Sequence, residues 1–558
     1  MMAKEKRMTV HWFALGMAGL LCAMALTIQL ILRDMNAVLL IDKVLDSWQG
    51  YDAEKNVYLH GNFAPVAEEH RGVPLRVIQG ALPENLSGLF VRNGPNPIPT
   101  QVTKSHHWFD GHGMMHNVRI RNGTALYSNS YIPTPRYNIE TERGEEVFTK
   151  IGELKGITGL LKSLLLDGPK RSLTGTSKLT TGPANTHSIM YQNKFYALDE
   201  GSLPFEVELT DDGIVKGVGY ETFGNVLNYS VSAHPKVDFS NGDLLFHGYA
   251  VDPEFLTRDG PMKVGEWSAA VGKLAFYFGL NTQDSHVPWA HDMTFTKNWI
   301  VLFDCSVTFD VMDMIIKGSP FRWSDERNMR IGLVPRTREY QKAWQTDVMW
   351  MDVGSPHVSV HALNAWEEED GRVIIWLPLG DRFSLDLEKS DNLFYMAEFR
   401  LDPRTGTVAM TKIDDEYNVE FPRVRDDCTG RFARFAYTAF VDSGNRLEGT
   451  FNGFNVWDIE RRVLHKVVRY PAAETGGEPV IIPKPGTSGS GEVYIGAFLY
   501  NEMDGTSSFV LYDGETALEE PVAKLRIPYR VPYGFHGRWV DEAELQNHVQ
   551  YHASRSVV

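Results

Sequence analysis

Residues 186–201 read THSIMYQNKFYALDEG, a stretch in which a short apolar run is followed at once by acidic residues and a glycine. The run Phe195–Leu198 predicts a short β-strand, because aromatic and apolar residues in so short a run favour extended structure. Glu200 follows this strand, and the next informative phrase along the chain is Ser232–Pro235, which contains His234. We interpret the stretch as one piece of a β-rich scaffold that brings distant polar side chains to one place.

Short apolar runs of the same kind recur from about Tyr51 onward, and glycine, aspartate and asparagine turns separate them. Clear examples are Asp243–Ala250, Lys273–Leu280, Trp299–Asp304, Arg372–Leu377 and Leu393–Arg400. Many short strands with hairpin turns and few long helices predict an all-β fold. A β-propeller is favoured over an open sandwich, because it closes on itself and leaves an axis where several blades converge. We therefore predict a propeller over residues 46–558 and a separate segment over residues 1–45.

The composition fits a large folded body. Of the 558 residues, 43% are hydrophobic and 11% are aromatic, which is enough to fill an extensive core. The formal net charge of −16 disfavours a nucleic-acid partner, since a phosphate backbone is bound by basic surfaces. The three cysteines, Cys22, Cys305 and Cys428, form no Cys-x-x-Cys pair, so a thiolate zinc site is not expected.

The N-terminus carries a membrane signal. Basic residues at positions 4, 6 and 7 precede an uncharged run, Trp12–Leu32, that is long enough to cross a bilayer as a helix. A cleaved signal ending at Ala23–Ala25 is the competing interpretation, and a plastid leader begins in the same way. We predict a membrane-associated protein with a single-pass anchor, because the run continues to Leu32. An endomembrane and a plastid both remain open as its compartment.

One segment of the body departs from the strand pattern. Between Ile151 and Leu166 the apolar residues recur at helical spacing, at positions 151, 154, 157, 160, 161, 164 and 165. Lysines accompany this stripe at positions 150, 155, 162 and 170. The segment predicts either a surface helix packed on the propeller or a helix that dips into a bilayer face, with its lysines at the lipid headgroups.

Four histidines stand far apart in distinct local phrases. They are His234 in SAHP, His291 in AHDM, His361 in HALNAWE and His536 in PYGFHG. One histidine among the 18 in the chain would carry little information. Neutral imidazole is a common ligand for iron, copper and zinc, and the inner strands of a propeller can bring four of them to one point. The four phrases therefore predict a single metal site.

Three glutamates lie in unusual apolar or Gly/Pro-rich settings, at Glu200, Glu420 and Glu478. Taken one at a time, each would be interpreted as an exposed turn carboxylate. Beside four histidine ligands they make a consistent outer set, because a ligating imidazole usually donates its other N–H to a carboxylate or carbonyl. Three carboxylates would also offset the charge of a divalent ion held by neutral ligands.

Several longer phrases resemble the carotenoid cleavage dioxygenases. They are Phe90–Pro97, His107–Gly111, Ser232–Asp238, His361–Glu367, Glu420–Val424 and Arg530–His536. The similarity runs in order from about Leu82 to Leu545, and it is nearest to the plant-like branch that cleaves at the 9,10 and 9′,10′ double bonds. The resemblance implies a seven-bladed β-propeller, with a dome of helices and loops over its top face and Fe(II) on its axis.

The same resemblance implies roles for individual residues. The iron ligands fall on His234, His291, His361 and His536, and the orienting carboxylates fall on Glu200, Glu420 and Glu478. Thr186 matches a position whose methyl group crowds a vacant coordination site. His357 is a rival to His361, but only His361 carries the Asn-Ala-Trp-Glu phrase. Two positions depart from the pattern: His112 replaces an aspartate, and His187 stands where an apolar or small residue is common.

The implied reaction is cleavage of a C=C bond of a carotenoid or apocarotenoid by O₂, which gives two carbonyl products. Such chemistry needs a metal, and the sequence contains no GxGxxG, P-loop or GxSxG motif for another cofactor or a serine nucleophile. Two alternatives on the same site are stilbene cleavage and a retinoid-type isomerohydrolase reaction. An alternative of another class is a non-catalytic, membrane-tethered propeller that binds apolar ligands.

Overall fold

The computed structural model describes residues 32–250, 260–317, 319–337, 347–385, 392–442, 450–517 and 519–555. Seven antiparallel sheets within these ranges form the blades of a β-propeller, as the sequence predicted. The predicted strands Lys273–Leu280 and Trp299–Asp304 occur with the same bounds. A small hairpin, Val307–Phe309 with Phe321–Trp323, lies outside the seven blades.

Each blade is defined by its strands. Blade 1 comprises His70–Pro74, Thr124–Tyr131, His112–Arg121, Gly88–Asn96 and Gly537–Asp541. Blade 2 comprises His187–Tyr191, Lys194–Leu198, Phe205–Leu209 and Val215–Tyr220. Blade 3 comprises Lys236–Asp238, Asp243–Tyr249, Met262–Ser268 and Lys273–Leu280. Blade 4 comprises Met293–Phe295, Trp299–Asp304, Arg330–Pro335 and Met349–Asp352.

Blade 5 comprises Asn364–Glu367, Val373–Gly380, Phe394–Asp402 and Thr407–Asp414. Blade 6 comprises Asn418–Arg423, Phe435–Val441, Gly453–Asp458 and Val463–Arg469. Blade 7 comprises Val480–Pro483, Glu474–Gly476, Val493–Asn501, Thr506–Asp513, Ala523–Ile527 and Arg76–Gly80.

The two ends of the chain close the ring without a covalent link. Gly537–Asp541 pairs with Gly88–Asn96 in blade 1, where Phe90 stands opposite Trp539. Arg76–Gly80 pairs in turn with Ala523–Ile527 in blade 7. Closure of this kind removes the unpaired edges that an open sheet of this size would expose.

Inner strands of neighbouring blades touch each other around the axis. Met293–Phe295 of blade 4 contacts both Lys236–Asp238 of blade 3 and Asn364–Glu367 of blade 5. On the other side, Gly537–Asp541 of blade 1 contacts His187–Tyr191 of blade 2 and Val480–Pro483 of blade 7. Residues at the beginning of these inner strands therefore lie close to the axis.

Six α-helices are described, and most lie outside the blades. They are α1 Met35–Gln49, α2 Pro135–Arg143, α3 Gly156–Leu161, α4 Asp167–Thr174, α5 Val311–Lys317 and α6 Glu542–Arg555. Shorter turns of 3₁₀ helix are Ala53–Lys55, Val57–Leu59, Gly61–Phe63, Trp108–Asp110, Ile151–Glu153, Lys178–Thr180, Gln283–Ser285 and Asp426–Cys428. Helix α1 contacts α3 and α4, and it runs through the predicted boundary at residues 45 and 46.

The predicted helix over Ile151–Leu166 is not continuous. The 3₁₀ turn Ile151–Glu153 is followed by α3, and a π-helical turn over Lys162–Leu166 then leads into α4. The placement of its lysines at lipid headgroups was wrong for three of them, because Lys150 is buried and Lys162 and Lys170 are fully buried. The ammonium groups of Lys162 and Lys170 contact the carboxylate of Asp42 in α1, at 3.3 and 2.9 Å. Burial without such partners would cost several kcal/mol per charge, and the sequence stripe alone does not show the partners.

The predicted membrane anchor, Trp12–Leu32, lies outside the described residues except for Leu32. From residue 32 onward, the described parts of the chain contain no helix that is long and apolar enough to cross a bilayer.

Helix α6 gives a pH-dependent contribution to stability. His548 Nε2 accepts a hydrogen bond from the Leu209 N–H at 2.8 Å, and Nδ1 donates to the Asn193 carbonyl at 2.8 Å, so the ring must be neutral. Burial lowers the pKa of His548 to about 4. The unfolded chain, with a histidine pKa of about 6.5, therefore binds more protons between these values, and stability falls as the pH drops through that window.

We expect His548→Asn to flatten this dependence. The wild-type free energy of unfolding should fall by on the order of 3 kcal/mol more than that of the variant between pH 7 and pH 4. Urea unfolding at several pH values measures the difference. The exposed His60 provides the matched control as His60→Asn, which should keep the wild-type slope. Parallel curves for wild type and His548→Asn would contradict the assignment.

Candidate metal centre

The four predicted histidines stand at the entrances to inner strands. His234 lies two residues before Lys236–Asp238, and His291 lies two residues before Met293–Phe295. His361 lies three residues before Asn364–Glu367, and His536 directly precedes Gly537–Asp541. Because these strands surround the axis, side chains separated by up to 302 positions in sequence meet at one point.

The Nε2 atoms of the four rings form a compact group. His234 Nε2 lies 3.0 Å from His291 Nε2, which lies 3.2 Å from His361 Nε2. His361 Nε2 lies a further 3.2 Å from His536 Nε2. Two imidazole nitrogens bound to one divalent ion at about 2.1 Å and at right angles would also stand about 3.0 Å apart.

Each predicted glutamate stands behind one histidine. Glu200 Oε1 lies 3.1 Å from His291 Nδ1, and Glu478 Oε1 lies 2.9 Å from His536 Nδ1. Glu420 Oε2 accepts from His361 Nδ1 at 2.5 Å. Carboxylates in these positions fix the Nδ1–H tautomer and leave the Nε2 lone pairs directed inward.

The donor set fits a divalent metal. With Nδ1 protonated on three rings, no Nε2–H is available to join His291, His361 and His536 to one another. Three lone pairs would then face each other at contact distance, which is unfavourable unless a cation lies between them. The rings are also buried, with 3 to 9% of each histidine exposed. The group therefore suits an ion that prefers neutral imidazole, such as iron, copper or zinc.

Burial and neighbouring charges set the protonation of the rings. Burial lowers the pKa of His234 and His536 well below the usual histidine value, and the neighbouring imidazoles lower it further. Burial also lowers the pKa of His361, but the carboxylate of Glu420 outweighs it, so the net pKa is raised. For Glu200, burial raises the pKa and the interaction with the neighbouring His291 lowers it, with a net decrease.

A bulge in blade 6 directs Glu420 to the axis. The register of Asn418–Arg423 against the next strand shifts between Glu420 and Arg423. Phe421, within the bulge, has a positive φ of 48°, which is strained for an aromatic residue. Its ring stacks on His361, with centroids 5.4 Å apart and an interplanar angle of 27°. Strain of this kind is typical of functional sites, where the surrounding packing maintains it.

His234 differs from the other three histidines, because no glutamate among the described residues lies at its Nδ1. The nearest carboxylate in an ion pair is Asp292, whose Oδ1 is 4.0 Å away, too far for a direct hydrogen bond. Asp292 instead binds Lys236 Nζ at 2.8 Å and accepts from the Ala362 N–H at 2.9 Å. It thereby joins blades 3, 4 and 5, a role that no sequence pattern indicates beyond its place beside His291.

Thr186 lies next to the four-histidine group, and its main chain is hydrogen-bonded to that of His536. Its carbonyl accepts from the His536 N–H at 3.2 Å, and its Oγ1 donates to Asn185 Oδ1 at 3.0 Å.

The two residues that depart from the family pattern have different surroundings. His187 lies within the site, with its ring stacked against His234 at a centroid distance of 5.3 Å. His112 forms a buried pair with Glu140, at 3.0 Å between Nε2 and Oε2.

The rival histidine has other partners. His357 Nδ1 lies 3.0 Å from Asp381, and its Nε2 lies 2.8 Å from Ser355 Oγ. Among the described residues, it does not belong to the group of four converging histidines.

Comparisons with known proteins agree with this architecture. A family model described as "Retinal pigment epithelial membrane protein" matches residues 63–541. The carotenoid 9,10(9′,10′)-cleavage dioxygenase 1 of Arabidopsis thaliana is 31% identical over 506 residues, which cover 88% of this chain and 90% of the relative. The corresponding enzyme of Crocus sativus is 30% identical over 515 residues, which cover 88% of this chain and 90% of the relative.

A solved structure shares the fold at lower identity. The lignostilbene dioxygenase of Pseudomonas brassicacearum superposes with a TM-score of 0.72 and 22% identity, covering 87% of this chain and 99% of that one. The fold, the converging histidines and the extent of the family match confirm the resemblance seen in the sequence phrases. The chain is an enzyme of the retinal pigment epithelial membrane protein family, to which the carotenoid cleavage dioxygenases belong.

Proposed function

We propose that this enzyme is a non-haem Fe(II) dioxygenase that cleaves a C=C bond of a carotenoid or apocarotenoid with O₂ to give two carbonyl products. The observation that carries the proposal is the group of four converging Nε2 atoms with three of the rings held by carboxylates. Relatives at about 30% identity that share most of the chain are named for carotenoid cleavage, which supports the substrate class.

We assign His234, His291, His361 and His536 as the iron ligands. Iron, when bound, supplies the one-electron chemistry with O₂ that amino-acid side chains lack. Imidazole is a neutral ligand when it binds a metal through Nε2, so a set of four favours the ferrous state, and the set provides fewer than six ligands. Glu200, Glu420 and Glu478 hold three of the imidazoles in place and balance the positive charge.

Thr186 is proposed to limit access to an open position of the metal. Its hydroxyl is hydrogen-bonded to Asn185, so the methyl group is the part of the side chain left for apolar contacts. The hydrogen bond from the His536 N–H to the Thr186 carbonyl holds this residue beside a ligand.

Stilbene cleavage is the second candidate, and the lignostilbene dioxygenase with the same fold favours it. Both candidates need the same metal and O₂ and differ only in the substrate. A retinoid-type isomerohydrolase reaction on the same site is a third, and it would leave O₂ unconsumed.

Purification of the full chain in detergent, followed by iron analysis and incubation with β-carotene, apocarotenoids, stilbenes and a retinyl ester under ¹⁸O₂, tests the proposal. We expect about one iron per chain and labelled carbonyl products from a carotenoid or apocarotenoid. Products from stilbenes alone would select the second candidate, and hydrolysis without O₂ uptake would select the third. A chain that binds no metal, or binds iron and converts none of these substrates, would refute the enzyme proposal and favour a non-catalytic binder.

We also propose that one face of the protein contacts a membrane. Exposed apolar side chains occur on three elements, α1, α3 with its π-helical extension, and α5, of which α3 contacts both α1 and α5. They include Leu40, Val44 and Trp48, then Ile157, Leu164 and Leu165, and then Val311, Met312 and Ile316, with exposed fractions of 42 to 72%. Exposed patches of this kind mark membrane or protein contacts. An anchor over Trp12–Leu32 would be near this face in sequence, and the names of some relatives place them in chloroplasts.

A flotation assay tests the membrane face. A chain that begins at Arg33 should bind liposomes, and the double variant Leu164→Glu/Leu165→Glu should bind at least about tenfold more weakly, since two exposed leucines no longer enter the lipid. Val463→Glu, which changes an apolar residue 43% exposed on an outer strand of blade 6, is the matched control and should bind normally. Equal flotation of all variants would exclude this face.

A further inference from the structure

Two buried histidines outside the metal group hold the main chain directly before two of the ligands. His187 Nδ1 lies 2.9 Å from the carbonyl oxygen of Ala233, the residue before His234. His247 Nε2 lies 2.7 Å from the carbonyl oxygen of Ala290, the residue before His291. A carbonyl only accepts, so the ring nitrogen carries the proton in both cases.

The two contacts repeat one structural step around the axis. His187 begins the inner strand of blade 2 and holds the residue that leads into blade 3. His247 lies in the second strand of blade 3 and holds the residue that leads into blade 4. Each histidine therefore ties a blade to the ligand segment of the blade that follows, and the repetition favours a shared role over chance packing.

His187 also contacts the ligand rings themselves. Its ring stacks on His234 with a centroid separation of 5.3 Å and an angle of 23°, and it meets His536 edge-on at 5.0 Å. In the part of the chain that the structure describes, no carboxylate lies within hydrogen-bond distance of His234 Nδ1, and Asp292 is 4.0 Å away. Ala233, the residue before His234, is instead held at both of its main-chain polar groups. Its N–H donates to Glu200 at 3.1 Å, and its carbonyl accepts from His187.

We propose that His187 and His247 are positioning residues for the metal ligands His234 and His291, and that they act on the main chain, whereas the glutamates act on the Nδ1 atoms of the rings. Each acts through the alanine carbonyl that it binds, which sets the direction in which the next side chain projects. The inference rests on the proposed metal site and deepens it. His187 stands where an apolar or small residue is common in the family, so the hydrogen bond that it donates to Ala233 is a specific consequence of this difference.

The competing explanation is that the His187 ring only fills space. His187→Phe separates the two, because phenylalanine keeps an aromatic ring of similar size and removes the N–H donor. His187→Asn removes the aromatic ring and keeps an N–H donor. His116→Phe is the control, since His116 is equally buried but hydrogen-bonds Tyr127 at 2.7 Å.

Cobalt(II) alone is a suitable probe, because its visible spectrum reports ligand geometry without turnover. For each full-length variant, affinity is measured by competition with a chelator, and thermal unfolding is recorded with and without the metal. We expect His187→Phe to lower Co(II) affinity by about 10- to 100-fold, to change the spectrum and to reduce the rise in Tm on metal binding. His187→Asn should retain most of the affinity. His247→Phe should have a smaller effect, because Glu200 still holds His291.

Wild-type affinity and spectrum in His187→Phe would overturn the inference. A fall in the Tm of the metal-free form with an unchanged rise on metal binding would do the same, since it would show a purely structural role. If His187→Phe does not fold, two other variants make the same comparison. His187→Ala lacks a side-chain N–H donor, and His187→Asn has one. Absence of Co(II) binding in the wild type would refute the proposed metal site itself, a result distinct from wild-type-like binding in the variants.

Discussion

A chain carrying His361→Ala is expected to purify without iron and to lose at least about 1000-fold of any C=C cleavage activity. The change removes one of four Nε2 donors from the centre of the group, where its atom lies 3.2 Å from both His291 and His536 Nε2. It also leaves the Glu420 carboxylate buried without its imidazole partner. A metal commonly contributes several kcal/mol to such chemistry, and each 1.36 kcal/mol is a factor of about ten in rate.

The control is His357→Ala, since His357 lies four positions earlier and is also buried. It pairs with Asp381 and Ser355, so iron content and activity should remain near wild type. Metal analysis of the two purified proteins, with circular dichroism to verify folding, measures the effect. Loss of iron in His357→Ala with retention in His361→Ala would show that the ligand assignment is wrong.

The second large effect concerns the attachment of α1. Asp42 is fully buried and lies within 3.3 Å of three lysine ammonium groups, those of Lys104, Lys162 and Lys170. Burial raises the pKa of Asp42, but the three ammonium groups outweigh it, and the net pKa is strongly lowered. Lys162 also pairs with Asp46 and Glu153, so three acids and three bases form one buried cluster.

We expect Asp42→Asn to weaken the attachment of α1 by about 3 to 5 kcal/mol, because it leaves buried ammonium groups without their shared carboxylate. The readout is amide hydrogen exchange across α1, where protection should fall by at least about 100-fold whether the helix detaches alone or the whole chain opens. Asp52→Asn is the control, because Asp52 is exposed and its carboxylate contacts the nearby Lys55 and the Glu54 N–H. Unchanged protection in Asp42→Asn would contradict the role of the cluster.

The acids of this cluster also resemble a cation site, since Asp42, Asp46 and Glu153 offer oxygens to one point. Their charges are met by the lysines, so the arrangement is an ion-pair cluster. It holds α1, with its exposed Leu40, Val44 and Trp48, against the elements that complete the proposed membrane face.

The sequence by itself predicted the fold class and the four histidines that converge in the structure. Both depend on local patterns: strand runs bounded by turns, and phrases such as His361–Glu367 in which the residue order is distinctive. The resemblance of these phrases to the carotenoid cleavage dioxygenases implied that the four histidines meet, and the structure shows that each of them precedes an inner strand. The same local reasoning found Glu200, Glu420 and Glu478, whose apolar settings are visible in sequence.

Only the tertiary structure decided which other polar residues matter. Lys162 and Lys170 look like solvent-facing lysines of an amphipathic helix, yet both are buried because Asp42, more than 100 positions away, supplies a charge partner. His187, His247 and Asp292 likewise gain their roles from the main chain of a neighbouring blade. The physical reason is that burial of a charge or a donor is favourable only with a partner, and these partners are brought together by blade packing that no local pattern records.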